Sequence, residues 1–419
     1  MQTLQAVRSG ATFQAARDRT LGRLAERDRR LAYELAAGVL RQQARLDRAL
    51  ELATADPRLH DILRLGAYQL GALARVPAYA AVSTSVELAR ELAGEQAARY
   101  VNQALRRLAG EAGSGKREGA AATHPSWLVK RWRRQFGAPD TEWLVAWNDA
   151  KPSLTLQPAR WDLDTLCARL REGGIGVRDA PFGAGIQLAP RASSSRFPLP
   201  RQLPGFEEGG FIVQDPAHAL VCRFAAIPPG ALVYDACAAP GGKAVMLERL
   251  GARVVAGDAR RHRSGRLVET ARRAGVAIRI VVADLLSSPF GAGALDAVLV
   301  DASCSGTGTM ARHPDARWRV TARTIARAAE RQGALIAAAA PLVKPGGLLI
   351  YATCSLEPEE NSDIVNEFLA GHADFSREPR PRTGSGVPAE LVTTDGDFQT
   401  LPQRHGIDGA YAARLVRSR

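Results

Sequence analysis

Apolar residues recur at three- and four-residue steps along 31–40 (LAYELAAGVL) and again along 62–70 (ILRLGAYQL), the period of a helix with one buried face. No stretch of the first 110 residues alternates apolar and polar positions, so this part is predicted to be all-helical. A glycine- and charge-rich stretch at 110–119 (GEAGSGKREG) is predicted to be a linker. The pattern then changes. Residues 126–136 (SWLVKRWRRQF) read as a helix with a basic face, 153–157 as a strand, 164–171 as a helix, with short strand-like pieces around Val177 and Ile186. Pro198, Pro200 and Pro204 close this small α+β part. From about 206 onward strand and helix signals alternate, the signature of a parallel sheet covered on both faces, with strands at 231–236, 253–258, 278–284, 295–301 and 348–353. The expected organisation is an all-helical part at 1–118, an α+β part at 119–205 and an α/β part at 206–419.

Composition narrows the partners. The chain has 419 residues, with 56 Lys+Arg against 43 Asp+Glu and a net charge of +13, which favours a polyanion such as nucleic acid or an anionic membrane surface. Residues 1–118 carry 19 basic and 13 acidic side chains, so this part holds nearly half of the excess. The longest apolar run, 334–343, spans ten residues and is too short to cross a bilayer. The N-terminus lacks a signal peptide's apolar segment, and a cytoplasmic location is expected. Five cysteines at irregular spacing imply no disulfide framework, and seven scattered histidines imply no metal site. Only five of the basic residues are lysine, so each lysine draws notice.

Three segments carry chemistry. The first, DACAAPGGK at 235–243, runs from a strand through small residues into a helix, where a ligand can approach the backbone and meet free N–H groups. It is neither the dinucleotide fingerprint nor a P-loop. Asp258, at the end of the next strand, suits the two hydroxyls of a ribose and hence an adenosine-containing cofactor. The second is DASCSGTG at 301–308 and the third YATCSLEPEEN at 351–361, each placing a cysteine at a strand end. Asp235, Asp258, Asp284 and Asp301 are all expected at the carboxyl ends of strands, around one crevice. A lone strand-end cysteine is usually a small buried hydrophobe, and Cys167, Cys222 and Cys237 are read that way. Two thiols facing a cofactor crevice suggest more: a thiolate adding to C6 of a pyrimidine makes C5 nucleophilic enough to take a methyl group from a sulfonium donor. Asp301 is placed to stabilise charge developing at N3.

These segments resemble the motifs of the RNA 5-methylcytosine methyltransferases of the Nol1/Nop2/Sun family, over most of 206–419, including Gln214 and Asp215 and the segment 408–415 (DGAYAARL). In the N-terminal part, 27–31 (RDRRL), 65–70 (LGAYQL), 75–82 (RVPAYAAV) and 100–108 (YVNQALRRL) are similar to the NusB-like RNA-binding domain, and 312–318 (RHPDARW) fits the bacterial members that carry it. The resemblance implies a class I, Rossmann-like methyltransferase domain using S-adenosyl-L-methionine, preceded by an all-α NusB-like domain and a small α+β subdomain. It also implies a cytidine of 16S ribosomal RNA as substrate. Carried over by position, Cys354 is the nucleophile and Cys304 assists release, with Asp301 beside them. Cys237, Ala238, Ala239, Pro240, Gly241, Gly242 and Lys243, with Asp258 at the ribose, Asp284 near the adenine and Asp301, hold the cofactor. No metal and no membrane partner is implied, and a monomer is expected. One departure stands out: Ser303 occupies the place where the family usually has proline before the first cysteine, which frees φ and restores a donor. An RNA-binding assembly factor with an inactive sheet domain is disfavoured by the intact motifs, and a nicotinamide oxidoreductase by the missing fingerprint. The basic segments 130–134 and 260–263 are read as phosphate contacts or solvated helix faces, which salt dependence separates.

Overall fold

The computed structural model describes residues 1–52, 56–111, 123–189, 199–378 and 386–419. Most of the expected linker and Pro198 lie outside the described residues. The chain divides into two compact units, Met1–Lys151 with Met310–Val320, and Pro152–Thr309 with Thr321–Arg419. The α+β part expected at 119–205 is therefore shared between them.

The first unit is helical, as its periodicity predicts: α1 Gln2–Arg8, α2 Phe13–Leu21, α3 Glu26–Leu50, α4 Pro57–Ala72, α5 Ala78–Glu111, α6 Ser126–Phe136 and α7 Ala138–Asp149. Asp56 caps α4 by accepting from the Arg58 amide, and Pro57 fills the first turn where a missing N–H is harmless. Gly94 interrupts α5. Ile62, Leu63, Val101 and Leu105 form a fully buried seam, and Tyr68 packs so closely over Gly38 that any Cβ there would overlap its ring. The unit also takes in residues from far along the chain. A short helix, α12 (Ala316–Arg319), carries Arg317, whose fully buried guanidinium donates to Asp149 (2.8 Å) and to the carbonyls of Arg41 (3.0 Å) and Asn148 (2.8 Å). Trp318 donates to the Leu40 carbonyl at 2.6 Å, and Asp315 accepts from the Phe13 amide at 3.0 Å. Stripping a buried charge of its partner is strongly destabilising.

In the second unit β1 (Thr155–Pro158), β2 (Val177–Asp179), β3 (Ile186–Leu188) and β4 (Phe211–Val213) form an antiparallel sheet ordered β2-β3-β1-β4, on which α8 (Leu163–Glu172) buries Leu166 and Leu170. β4 lies beyond residue 206, so the small sheet borrows its edge from the segment expected to be purely α/β. Next come α9 (Pro216–Ala225), β5 (Leu232–Asp235), α10 (Gly242–Arg249), β6 (Arg253–Gly257), α11 (Arg261–Ala274), β7 (Arg279–Val281) and β8 (Leu295–Asp301). The chain closes with α13 (Ala322–Ala339), β9 (Val343–Thr353), α14 (Ser362–Gly371), β10 (Phe375–Arg377), β11 (Phe398–Thr400), α15 (Pro402–His405) and β12 (Ala410–Arg417). The large sheet runs β10-β12-β9-β8-β5-β6-β7, with β11 on β12.

The strands β5 to β9 are parallel, as the alternation predicts, but β12 runs antiparallel to β9 and β10 antiparallel to β12. The sheet is therefore mixed, which corrects the all-parallel expectation. Both faces are apolar, as a doubly covered sheet requires. Val233, Val254, Leu299 and Ile350 point to the side of α9 and α10, whereas Val255, Val298, Val300 and Leu349 point to the side of α13 and α14. Side chains buried to this degree contribute roughly 1.5–3 kcal/mol each, and they fix the strand register. That register sets Asp301 beside Ala352 and so brings the loops after β8 and β9 out of the sheet side by side.

Candidate active site

Two of the four strand-end acids close their strands: Asp235 ends β5 and Asp301 ends β8. Asp258 follows β6 by one residue. Asp284 does not sit on a strand end, because β7 stops at Val281; it is exposed and caps a short turn by accepting from the Leu286 amide at 3.1 Å.

The loops after β8 and β9 bring the two expected thiols together, with the Sγ atoms of Cys304 and Cys354 3.1 Å apart and both side chains partly exposed. The hydrogen bond with Cys354, and then burial, push the Cys304 thiol well above its usual range, and either sulfur can donate in the contact between them. Backbone approach holds the loops together. The Gly308 amide donates to the Cys354 carbonyl (3.0 Å), and the Gly409 amide donates to the Gly308 carbonyl (2.8 Å). A side chain at 308 has no room, since a Cβ there would stand 2.7 Å from the Gly409 oxygen and 2.8 Å from the Cys354 oxygen. Thr353 donates to Asn361 (2.5 Å), Asn361 donates back to the Ser355 carbonyl (2.9 Å), and the Leu356 amide donates to Thr307 (2.8 Å).

Beside the thiols, Lys243 on the first turn of α10 donates to Asp301 (2.8 Å) and to His218 Nδ1 (2.9 Å). Burial acts to lower the lysine's pKa, but the Asp301 carboxylate outweighs it and the net shift is upward. Lys243 therefore stays charged although it is almost wholly buried. His218 went unnoticed in the sequence, where a lone histidine on an apolar helix carries no signal.

Residues 235–243 form the predicted turn, with Gly241 at φ 109° and its Cα against Leu267 and Thr270 of α11, so that only glycine fits. Asp235 is fully buried, neither of its oxygens has a side-chain partner, and burial followed by the Asp301 charge pushes its carboxyl up to about 8. Gln214, packed against Gly242, likewise buries an unpartnered Oε1. Buried acceptors left without donors beside a helix N-terminus fit a ligand with a cationic donor and further polar atoms. Cys237 is not reactive here: burial, then Asp235, pushes its thiol up to about 12. Asp258 is buried, accepts from the Arg260 amide (2.9 Å) and pairs with Arg263 (3.4 Å), which also donates to the Ala239 carbonyl (2.9 Å). Arg263 is thus tied to the turn, while Arg260, Arg261 and His262 stay exposed. Of the other cysteines, Cys222 is buried and inert as expected, its thiol pushed up to about 12 by burial. Among the described residues no helix is long and apolar enough to cross a membrane.

Comparison with known proteins accounts for nearly the whole chain. Residues 226–416 match the 16S rRNA methyltransferase RsmB/F family, residues 1–110 the NusB family, and residues 124–193 the ferredoxin-like domain of the RsmF/B-like methyltransferases. The probable ribosomal RNA small subunit methyltransferase B of Synechocystis sp. is 35% identical, covering 93% of this chain and 92% of that protein. The ribosomal RNA small subunit methyltransferase B of Pseudomonas putida is 34% identical, covering 99% and 97%. Among solved structures, that of PH0851 superposes with a TM-score of 0.80 at 23% identity, covering 99% of this chain and 96% of that one. NSun6 from Pyrococcus horikoshii with SFG follows at 0.60 and 17% identity, covering 70% and 98%. At those identities the two structures speak for the fold alone.

Proposed function

The chain belongs to the 16S rRNA methyltransferase RsmB/F family, and we propose that within it the enzyme methylates C5 of a cytidine through a transient bond between Cys354 and C6 of the base. The observation that carries this reading is the pair of thiols 3.1 Å apart, with the Asp301–Lys243 ion pair beside them. A buried turn lined by unpartnered acceptors suits S-adenosyl-L-methionine, whose sulfonium would supply an electrophilic methyl group. Cys237 to Lys243, Asp235, Asp258 and Asp284 are the residues assigned to hold it.

The protein's own part divides into two halves. In the first, the Cys354 sulfur adds to C6, and the electron pair of the C5–C6 double bond becomes available at C5. Charge accumulating at N3 is met by a proton that Asp301 hands to N3 as it takes one from the Lys243 ammonium, and the proton returns along the same path when the ring is restored. In the second, after C5 has been alkylated, its proton passes to a water molecule acting as base and the C–H pair re-forms the C5–C6 double bond. The C6–S bond breaks with its electrons returning to Cys354. Cys304, whose thiol lies 3.1 Å from Cys354 and is held above its usual range, assists by donating to the departing sulfur. The base must be unpaired or flipped out to reach these atoms. Helices of residues 1–118, with the exposed Lys130, Arg133 and Arg134 of α6, are assigned to RNA binding.

The test is methyl transfer from labelled S-adenosyl-L-methionine to unmodified 16S rRNA, with the product nucleoside identified by mass and the site mapped. Label at a position other than C5 of cytidine refutes the proposal.

A further inference from the structure

Each of the two cysteines is followed by a serine, and both serines close on one carboxylate. Glu360 is fully buried; it accepts from the Ser305 amide (2.8 Å), from the Ser305 and Ser355 hydroxyls, and from Gln332 Nε2 (3.1 Å). Its own backbone is pinned, with the carbonyl accepting from the Tyr351 hydroxyl (2.6 Å) and the amide donating to the Glu357 carbonyl (3.1 Å). Gln332, on α13, uses the same nitrogen to donate to the Ser303 carbonyl at 3.0 Å. Cys304 is thus held from both flanks, through Ser303 by Gln332 and through Ser305 by Glu360. Cys354 is held through Ser355 by the same carboxylate. No cation among the described residues pairs with Glu360, so its bonds fix geometry rather than balance a charge.

This matters because the sheet stops short of the thiols. The last β8–β9 ladder pairing is Asp301 with Ala352, followed by the Ala302 amide on the Ala352 carbonyl at 2.9 Å. From there the two loops are tied by the Gly308 contact, by Thr307 on the Leu356 amide (2.8 Å) and Ser355 (3.3 Å), and, nearest the cysteines, by Ser305, Ser355 and Glu360. Ser303 does not lock φ as a proline would, so side-chain bonds contribute to the stiffness of the Cys304 loop. We propose that Glu360 is a positioning residue that sets the distance between the two thiols, and that the release half of the reaction is the half that needs it. The proposal rests on Cys354 forming the adduct and Cys304 assisting its breakdown. Attack requires one thiol in place, whereas release requires both sulfurs at hydrogen-bonding distance, so loosening the clamp slows release more than attack.

The test is made on the full-length enzyme with S-adenosyl-L-methionine and unmodified 16S rRNA. Glu360→Gln keeps the volume but turns an N–H toward donors. It is expected to raise the fraction of protein–RNA adduct surviving a denaturing gel by about tenfold and to lower kcat by about 10–100-fold. KM values should stay within about threefold. Ser305→Ala, which leaves the amide bond to Glu360 intact, is expected to shift both readouts in the same direction by less. It carries the test alone if Glu360→Gln does not fold. Adduct at the wild-type level in folded variants overturns the proposal, as does an equal loss of adduct and turnover, which is what a merely structural role produces. Cys304→Ala is run in parallel. If it too gives no adduct, the assignment of the cysteines fails and the clamp falls with it; if it gives adduct while the Glu360 and Ser305 variants do not, only the clamp is wrong.

Discussion

Gly308→Ala tests whether backbone contact sets the active site. The Gly308 backbone lies outside the left-handed region, so alanine meets no torsional penalty and the effect is steric alone. The new Cβ would stand 2.7 Å from the Gly409 oxygen, 2.8 Å from the Cys354 oxygen and 2.8 Å from the Gly409 Cα. Ordinary contact begins at 3.4 Å, so the deficit is about 0.7 Å, and no rotamer can relieve it because all three neighbours are backbone. Overpacking of this kind costs about 1–3 kcal/mol, and moving the Cys354 carbonyl away also stretches a hydrogen bond of about 1 kcal/mol net. A loss of about 2–4 kcal/mol should appear in the urea midpoint. A displacement of the Cys354 thiol on the order of 0.7 Å should lower single-turnover methyl transfer by about 10–100-fold in protein that remains folded. Wild-type stability together with a wild-type rate would mean that the loops have slack, and the argument from close approach would be wrong.

Cys354→Ala should abolish methyl transfer while calorimetry still detects S-adenosyl-L-methionine binding; transfer that persists removes this residue from the mechanism. Cys304→Ala should accumulate an RNA adduct visible on denaturing gels, and normal turnover without adduct would contradict its role in release. Burial and the Asp301 charge raise the Asp235 carboxyl from 3.8 to about 8, so the folded state keeps a proton that the unfolded chain gives up. Stability contributed by that difference is whole below about pH 4 and is lost as pH rises toward 8, with a slope on the order of 1.4 kcal/mol per unit. Asp235→Asn should flatten this slope, and equal slopes in urea titrations of the two proteins would show that Asp235 ionises normally. Replacing Lys130, Arg133 and Arg134 together by alanine should reduce the salt dependence of RNA affinity by about two units of log–log slope, whereas an unchanged slope would mark this face as merely solvated.

Local signals made much of this molecule legible. β8 falls on its predicted bounds, 295–301, because the apolar run 297–300, buried on both faces, reads as a strand and Asp301 closes it. β9 begins five residues early, at Val343, since the glycines after Pro345 permit strand geometry but do not announce it. β12 pairs antiparallel with β9, a fact about partners that no local pattern carries. α7 follows directly on α6, and Pro139 sits in its first turn, where a missing N–H is harmless. In the site, the cysteines, Lys243 and the acids were visible as motif letters. Asp284 was placed on a strand end because the apolar run was taken three residues too far. Glu360 stood inside a quoted motif without a role, and Gln332 and His218 stood outside any motif. Several of their partners lie 25 to 55 residues away, and only the folded sheet brings those together.

The helical first unit draws its last piece, Met310–Val320, from beyond residue 300, and Arg317 in that piece is the partner of Asp149. At about 5–20 residues per second, translation from residue 151 to residue 320 lasts roughly ten to thirty seconds. Throughout that interval the emerging N-terminal helices wait with an acid and four backbone groups still lacking their mates. A message broken anywhere in this window therefore yields a polypeptide in which neither unit is whole, and a fragment cut at residue 151 for expression would inherit the same defect.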